Sequence, residues 1–399
     1  MIWISAIPNG IDGNNINYFK KRLRQKIIDV IIFIKDREVF MKMIKKIFLF
    51  LFALSLISFC IFMVYKIINR DTKLITNNDT KKEVKVVKKE KKGNVPVIKL
   101  KGQESMKIVK NGVYEEMGAT ALDEEDKDIS NKIKIVNNIK IDTPGDYTVD
   151  YTVTDSDNNE VTLKRKVKVF EVTNKDTNGI SVFMYHYFYD DTTETGEDNN
   201  YISKSHFEEQ LKYLSENDYY FPNMKEIRKY VDGKLDLPEK SVVLTMDDGH
   251  ADNYSIAYPL AVKYKVPIVM FVVTSWTDVS MDLQQEMTNT GYVIFQSHTH
   301  DMHKAGCSGM GHGGYFQCVS YEEGLNDLLK SKEALNNSDS LAYPFGDYSD
   351  NTIKIMKDAG FSLGFTTQNG QIHINDNPYT LSRMRINGDI SLDTFVSQL

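Results

Sequence analysis

Apolar residues recur at every second position through residues 147–153, where Tyr147, Val149, Tyr151 and Val153 share one face of "YTVDYTVTD". That period belongs to a half-buried β-strand. "TPGDY" before it and "DSDNN" after it are turn signals. Val161, Leu163, Val167 and Val169 resume the alternation beyond the turn. Several short strands within residues 95–172 predict a small all-β sandwich. After residue 179 the pattern changes. Short apolar runs predict strands at 180–184, 241–245, 266–273, 292–295, 341–343 and 362–366. Between them, Phe207, Leu211 and Leu214 have helical spacing, and 253–264, 321–335 and 351–359 read as further helices. The alternation predicts a parallel α/β fold over residues 179–399, with a strand count near that of a (β/α) barrel.

A third pattern lies near the start. Residues 47–65, "IFLFLFALSLISFCIFMVY", carry no charge and match the length of a bilayer-crossing helix. Lys42, Lys45 and Lys46 precede the run. The positive-inside rule then keeps residues 1–46 in the cytoplasm and puts everything beyond 66 outside. A cleaved signal peptide is the rival reading, but the run is long for one and no small-x-small site follows it. Phe59 before Cys60 fits poorly with a lipoprotein cleavage site. Residues 47–66 are therefore read as a single uncleaved transmembrane helix. "MKMIKK" at Met41 is an alternative translation start, which would make residues 1–40 a mis-called extension. Residues 67–94 contain "KKEVKVVKKEKKG", too polar to bury a core, and form a linker.

Composition adds bounds. The chain has 399 residues, 41% hydrophobic and 26% charged, enough for sizeable cores and roughly two or three domains. The net charge of −6 conceals a basic first part and an acidic remainder. That distribution argues against a nucleic-acid-binding body and for a basic segment beside a membrane.

The polar clusters fall at the ends of the predicted strands. "SVFMYH" ends in His186, "SVVLTMDDG" in Asp247, Asp248 and Gly249, and "LAYPFG" in Pro344, Phe345 and Gly346. "YVIFQSHTHDMH" ends in three of the chain's eight histidines. In a β/α barrel these ends converge on one mouth, where active sites lie. A lone "DDG" is more often a turn with capping aspartates. Beside a histidine cluster, one Asp can bind a metal while its neighbour acts as a base. Two His and one Asp leave coordination positions open, as catalytic zinc requires.

Residues 179–399 resemble a polysaccharide deacetylase domain (the NodB homology domain, carbohydrate esterase family four). "TMDDG" is similar to the family's T-F-D-D-G, with Met246 in place of Phe. The resemblance implies a distorted (β/α) barrel, a divalent metal, most simply Zn2+, and N-deacetylation of an N-acetylglucosamine-containing polysaccharide. It assigns Asp247 as the base and Asp248 as a metal ligand. "HTHDMH" spaces His298 and His303 five apart rather than the usual four. This looks like the branch acting on poly-β-1,6-N-acetylglucosamine, where the outer two His bind metal; His300 stays open as a ligand on spacing alone. The backbone N–H of Phe345 matches the family's oxyanion donor. Ala342 stands where the family has the Arg that orients the base, and Arg383 or Arg385 in "LSRMRI" is a replacement. Arg383 is grouped with Phe345 on the substrate and oxyanion side. No closing L-x-H is evident, and the permuted branch gives the acid's role to a His like His186 in "FMYHYF".

Residues 95–172 resemble the bacterial immunoglobulin-like modules of surface proteins, which implies a spacer, with glycan binding the minority reading. Cys307 and Cys318 flank "SGMGHGGYFQ" as a disulfide or as two free thiols. The expected protein is an anchored, outward-facing deacetylase. Peptidoglycan is the rival substrate, and a non-catalytic glycan-binding surface protein is the rival class. The sequence leaves the oligomeric state open.

Overall fold

The computed structural model describes residues 95–399, apart from 126, 277–280 and 337. The apolar run 47–65, the tail before it and the linker after it lie outside the described residues. Among the described residues, no helix is long and apolar enough to cross a membrane.

Six strands build the first part: β1 (Val97–Leu100), β2 (Ser105–Val109), β3 (Ala119–Leu122), β4 (Lys134–Asn137), β5 (Gly145–Thr154) and β6 (Glu160–Phe170). β1 pairs with β3, and a second sheet has the order β2-β6-β5-β4. The alternation puts Val149, Tyr151, Val153, Val167 and Val169 into its core. Arg165 breaks the apolar pattern: it is fully buried, with its guanidinium 5.5 Å from the centre of the Tyr151 ring.

The second part holds β7 (Ser181–Tyr185), β8 (Tyr187–Tyr189), β9 (Tyr201–Ser203), β10 (Val242–Met246), β11 (Ile268–Val272), β12 (Val293–Ser297), β13 (Ser340–Ala342), β14 (Leu363–Phe365) and β15 (Met384–Arg385). Around them run α1 (Lys204–Glu216), α2 (Met224–Val231), α3 (Tyr258–Tyr264), α4 (Met281–Thr288), α5 (Tyr321–Ala334), α6 (Asp350–Asp358) and α7 (Leu392–Val396). Seven strands form one sheet in the order β14-β13-β12-β11-β10-β7-β15. Every pairing in it is parallel. β7, β10 and β11 are buried at every position, so they read as continuous apolar runs, as strands covered on both faces do.

The expected barrel is corrected to a half-barrel. β14 and β15 are edges of the sheet. Leu381 bridges to Phe365 while Met384 pairs with Phe183, so residues 381–385 lean on both edges without a continuous closing ladder. The predicted helix at 253–264 begins as a π-helical turn, Asn253–Ala257, before α3. Pro259 sits in the first turn of α3, where its missing N–H prevents a regular ladder from running through. α2 was not anticipated, although Asn223 and Glu226 form a capping box at its start.

Glu226 also joins the two parts. Its carboxylate accepts hydrogen bonds from the Tyr220 hydroxyl (2.9 Å to either oxygen), Asn223 N (3.2 Å) and Val113 N of the β-sandwich (3.0 Å). Asn223 Nδ2 returns a bond to Val113 O at 3.1 Å. A Cβ at Gly112 would collide with Glu226 Oε1, so only glycine fits against this carboxylate. Burial pushes the Glu226 carboxyl up to about 7, against the pull of its hydrogen bonds. The folded value lies above the unfolded one, so the folded state binds the extra proton as pH rises from about 4.5 to 7, and stability falls over that window. The expected loss is roughly 3 kcal/mol. Denaturant unfolding at pH 5 and pH 8 should show this loss in the native chain and a smaller one in Glu226→Gln. Equal pH dependence in both would refute the assignment.

Candidate active site

Because the strands run parallel, the residues after β7, β10, β12 and β13 meet at one end of the sheet. Asp247 and Asp248 follow β10, His298 follows β12, and His186 follows β7. Left-handed backbone at Asp248 (φ 75°) and Gly249 (φ 75°) turns the chain sharply after the strand. The two carboxylates thereby part company and find different partners.

Asp247 is clamped. Arg383 Nη1 and Nη2 donate to its two oxygens at 2.7 Å each. Arg383 is fully buried and also donates to Thr245 Oγ1 (3.0 Å) and the Thr366 carbonyl (2.9 Å). Burial alone would raise the Asp247 carboxyl, but the guanidinium outweighs it and holds the group below its ordinary range. Arg385 is turned elsewhere, donating to Asn200 Oδ1 at 2.6 Å. Of the two arginines left open by the sequence, Arg383 is the one that touches Asp247.

Asp248 faces the histidines. Its Oδ1 lies 3.5 Å from His298 Nε2 and 3.3 Å from His303 Nε2. One ligand atom from each of these residues lies within 4.8 Å of the others. His298 Nδ1 donates to the Ala342 carbonyl at 2.7 Å, since a carbonyl can only accept, which turns Nε2 toward Asp248. Asp248 Oδ1 is buried and has no hydrogen-bond partner. A buried carboxylate oxygen left bare beside two imidazole nitrogens fits a cation, and this donor set suits Zn2+. Burial, helped by the neighbouring His298 charge, pushes His303 down to about 4, leaving it neutral and able to ligate at pH 7.

Local structure explains the five-residue spacing. Thr299 is left-handed (φ 72°), and its N–H bonds to Ser297 Oγ at 3.1 Å. Asp327 on α5 accepts His300 N and Asp301 N, both at 2.8 Å. His300 Nδ1 bonds to Thr274 Oγ1 at 2.9 Å and lies outside the metal-ligand group. The turn thus carries the chain past His300 and brings His303 back beside His298, with ring centres 4.8 Å apart.

Comparison with known proteins places the chain in a family. The polysaccharide deacetylase family pattern matches residues 234–364, and that of a bacterial surface protein Ig-like domain matches 98–169. A poly-beta-1,6-N-acetyl-D-glucosamine N-deacetylase of Staphylococcus aureus (strain MRSA252) is 31% identical over 218 residues, 51% of this chain and 73% of that protein. The chain belongs to the polysaccharide deacetylase family. A Staphylococcus epidermidis protein of the same name is 30% identical over 211 residues, 49% of this chain and 71% of its own length. Among solved structures, the Streptococcus pyogenes deacetylase PplD in complex with acetate is similar at 25% identity and TM-score 0.48, covering 56% of this chain and 99% of that one. IcaB from Ammonifex degensii is similar at 26% identity and TM-score 0.46, covering 56% and 97%.

The rest of the deacetylase mouth is built from three further groups. His186 has a buried Nδ1 without a partner, and its carbonyl accepts Asn253 Nδ2 at 2.8 Å. Burial lowers its pKa, while the charges of Asp247 and Asp248 pull the other way. Phe345 adopts left-handed backbone (φ 61°) and stacks its ring on His303 with centres 4.6 Å apart. Tyr187, which sequence reasoning missed, donates its hydroxyl to Asp248 Oδ2 at 2.7 Å. Burial and the Asp248 charge raise this phenol, so it stays a donor. The signal was present in "MYHYF", but nothing in the sequence tied Tyr187 to Asp248. Cys307 and Cys318 are disulfide-bonded, with Cα atoms 5.9 Å apart. Their loop is pinned by Asp347, which accepts His312 N and Gly314 N at 2.9 Å.

Proposed function

We propose that this chain removes acetyl groups from N-acetylglucosamine residues of a cell-surface polysaccharide, with poly-β-1,6-N-acetylglucosamine as the polymer. The observation that carries the reading is the bare Asp248 oxygen between His298 and His303, beside an Asp247 clamped by Arg383. The likeness to the staphylococcal N-deacetylases supports the choice of polymer. The surface-type Ig-like region and the disulfide support an extracellular site. Anchoring through residues 47–66 is part of the same proposal.

Asp248, His298 and His303 would hold a divalent metal, which when bound would supply Lewis acidity toward the acetamide carbonyl and water. Asp247, kept ionised by Arg383, takes a proton from the attacking water. The Phe345 N–H donates to the carbonyl oxygen as negative charge develops there. His186, as the imidazolium, gives the leaving amine the proton it needs and is left as the neutral imidazole. Amide and water become acetate and a glucosamine that gains positive charge.

The test is acetate release by metal-replete protein from β-1,6- and β-1,4-linked N-acetylglucosamine oligomers and from peptidoglycan. The β-1,6 oligomers should react fastest. Faster release from peptidoglycan would move the substrate, and none from any polymer would leave a glycan-binding protein. In the same assay His303→Ala should lose metal and activity together, while His300→Ala keeps its metal. Full occupancy in the first variant with loss in the second would overturn the ligand assignment.

A further inference from the structure

Trp276 is half exposed at the edge of the site (50%). Its ring centre lies 5.0 Å from that of His303, and the rings meet edge to face at 70°. The indole is held there by a tied backbone. Trp276 N donates to Val273 O at 2.9 Å, Thr274 N to Thr299 O at 3.1 Å, and Ser275 N to His300 O at 3.0 Å. The segment that carries the tryptophan is therefore bonded to the same turn that positions His303. Across the site, Tyr187 contacts Tyr201 (4.9 Å) and His250 (5.2 Å) while bonding to Asp248. The ligand set thus has one aromatic ring, Trp276, against His303 and another, Tyr187, bonded to Asp248.

A pyranose ring has an apolar C–H face and a polar rim, and a rigid indole offers a flat apolar surface at low entropic cost. The His303 ring covers part of Trp276, and half of the residue stays open to solvent beside the ligand set. We propose that Trp276 is the stacking platform for the sugar next to the one being deacetylated, and so makes the enzyme select chains over single sugars. This rests on the N-acetylglucosamine polymer reading above.

The experiment compares N-acetylglucosamine with its β-1,6-linked tetramer, using metal-replete wild type, Trp276→Ala and Trp276→Phe, with metal content measured on each. Wild type should prefer the tetramer. Trp276→Ala should lose about tenfold of that preference, mainly through KM. Trp276→Phe should recover most of it, and all three should hold equal metal. An unchanged preference in Trp276→Ala would overturn the inference. So would an equal fall on both substrates accompanied by lost metal, since that would make Trp276 a prop for His303. Absence of acetate from wild type on either substrate would remove the deacetylase reading itself, and this inference with it.

Discussion

Arg383→Met should lose about a hundredfold in kcat, because the base it positions is left both misdirected and protonated. Arg383 is the main counterweight to the burial of Asp247, which it contacts through two bonds of 2.7 Å. Without the guanidinium, burial pushes the Asp247 carboxyl upward. A base with a raised pKa works only above it, so the variant's kcat/KM should climb with pH where the wild type is already level. Removing one partner of a buried pair also costs about 3–5 kcal/mol of stability. The checks are pH profiles of metal-replete protein from pH 5 to 9 and denaturant unfolding. Arg385→Met is the control, since Arg385 contacts Asn200 rather than Asp247. Wild-type kcat and profile in Arg383→Met would show that Asp247 needs no clamp.

The second large effect is expected at His186. A leaving amine must gain a proton as the tetrahedral intermediate collapses, and general acid catalysis is worth about a hundred- to ten-thousand-fold. His186→Ala should keep its metal and fold and lose amide hydrolysis on that scale. An acetyl ester with a good leaving group departs without a proton, so its hydrolysis should fall much less. Asp247→Asn should impair both substrates, because water activation is common to them. The unpartnered, buried Nδ1 of His186 is what singles it out in the structure. Near-wild-type amide hydrolysis by His186→Ala would exclude it. The next histidine to test would then be His373, which bonds to Asn178 O at 3.0 Å and is exposed.

What the chain states locally and what it states only when folded separate cleanly here. The strand periods, the two structured regions and the positions of Asp247, Asp248, His298 and His303 at strand ends are local properties, because side-chain alternation and helical spacing are set by neighbours in sequence. Parallel pairing then carries those ends to one mouth without further information. The half-barrel, the Arg383 clamp, the Tyr187 bond and the Glu226 junction are not local. Asp247 and Arg383 are 136 positions apart, and Ala342, where the family pattern has an Arg, contributes instead a carbonyl that orients His298. Either arginine of "LSRMRI" could reach by length. Only the register of β15 against β7, which pairs Met384 with Phe183, leaves Arg383 buried toward Asp247 and Arg385 toward Asn200. Two residues apart, these arginines would share a face of a regular strand, so alternation cannot rank them; β15 covers only Met384–Arg385, and the point at which the chain enters that strand decides which guanidinium holds the base.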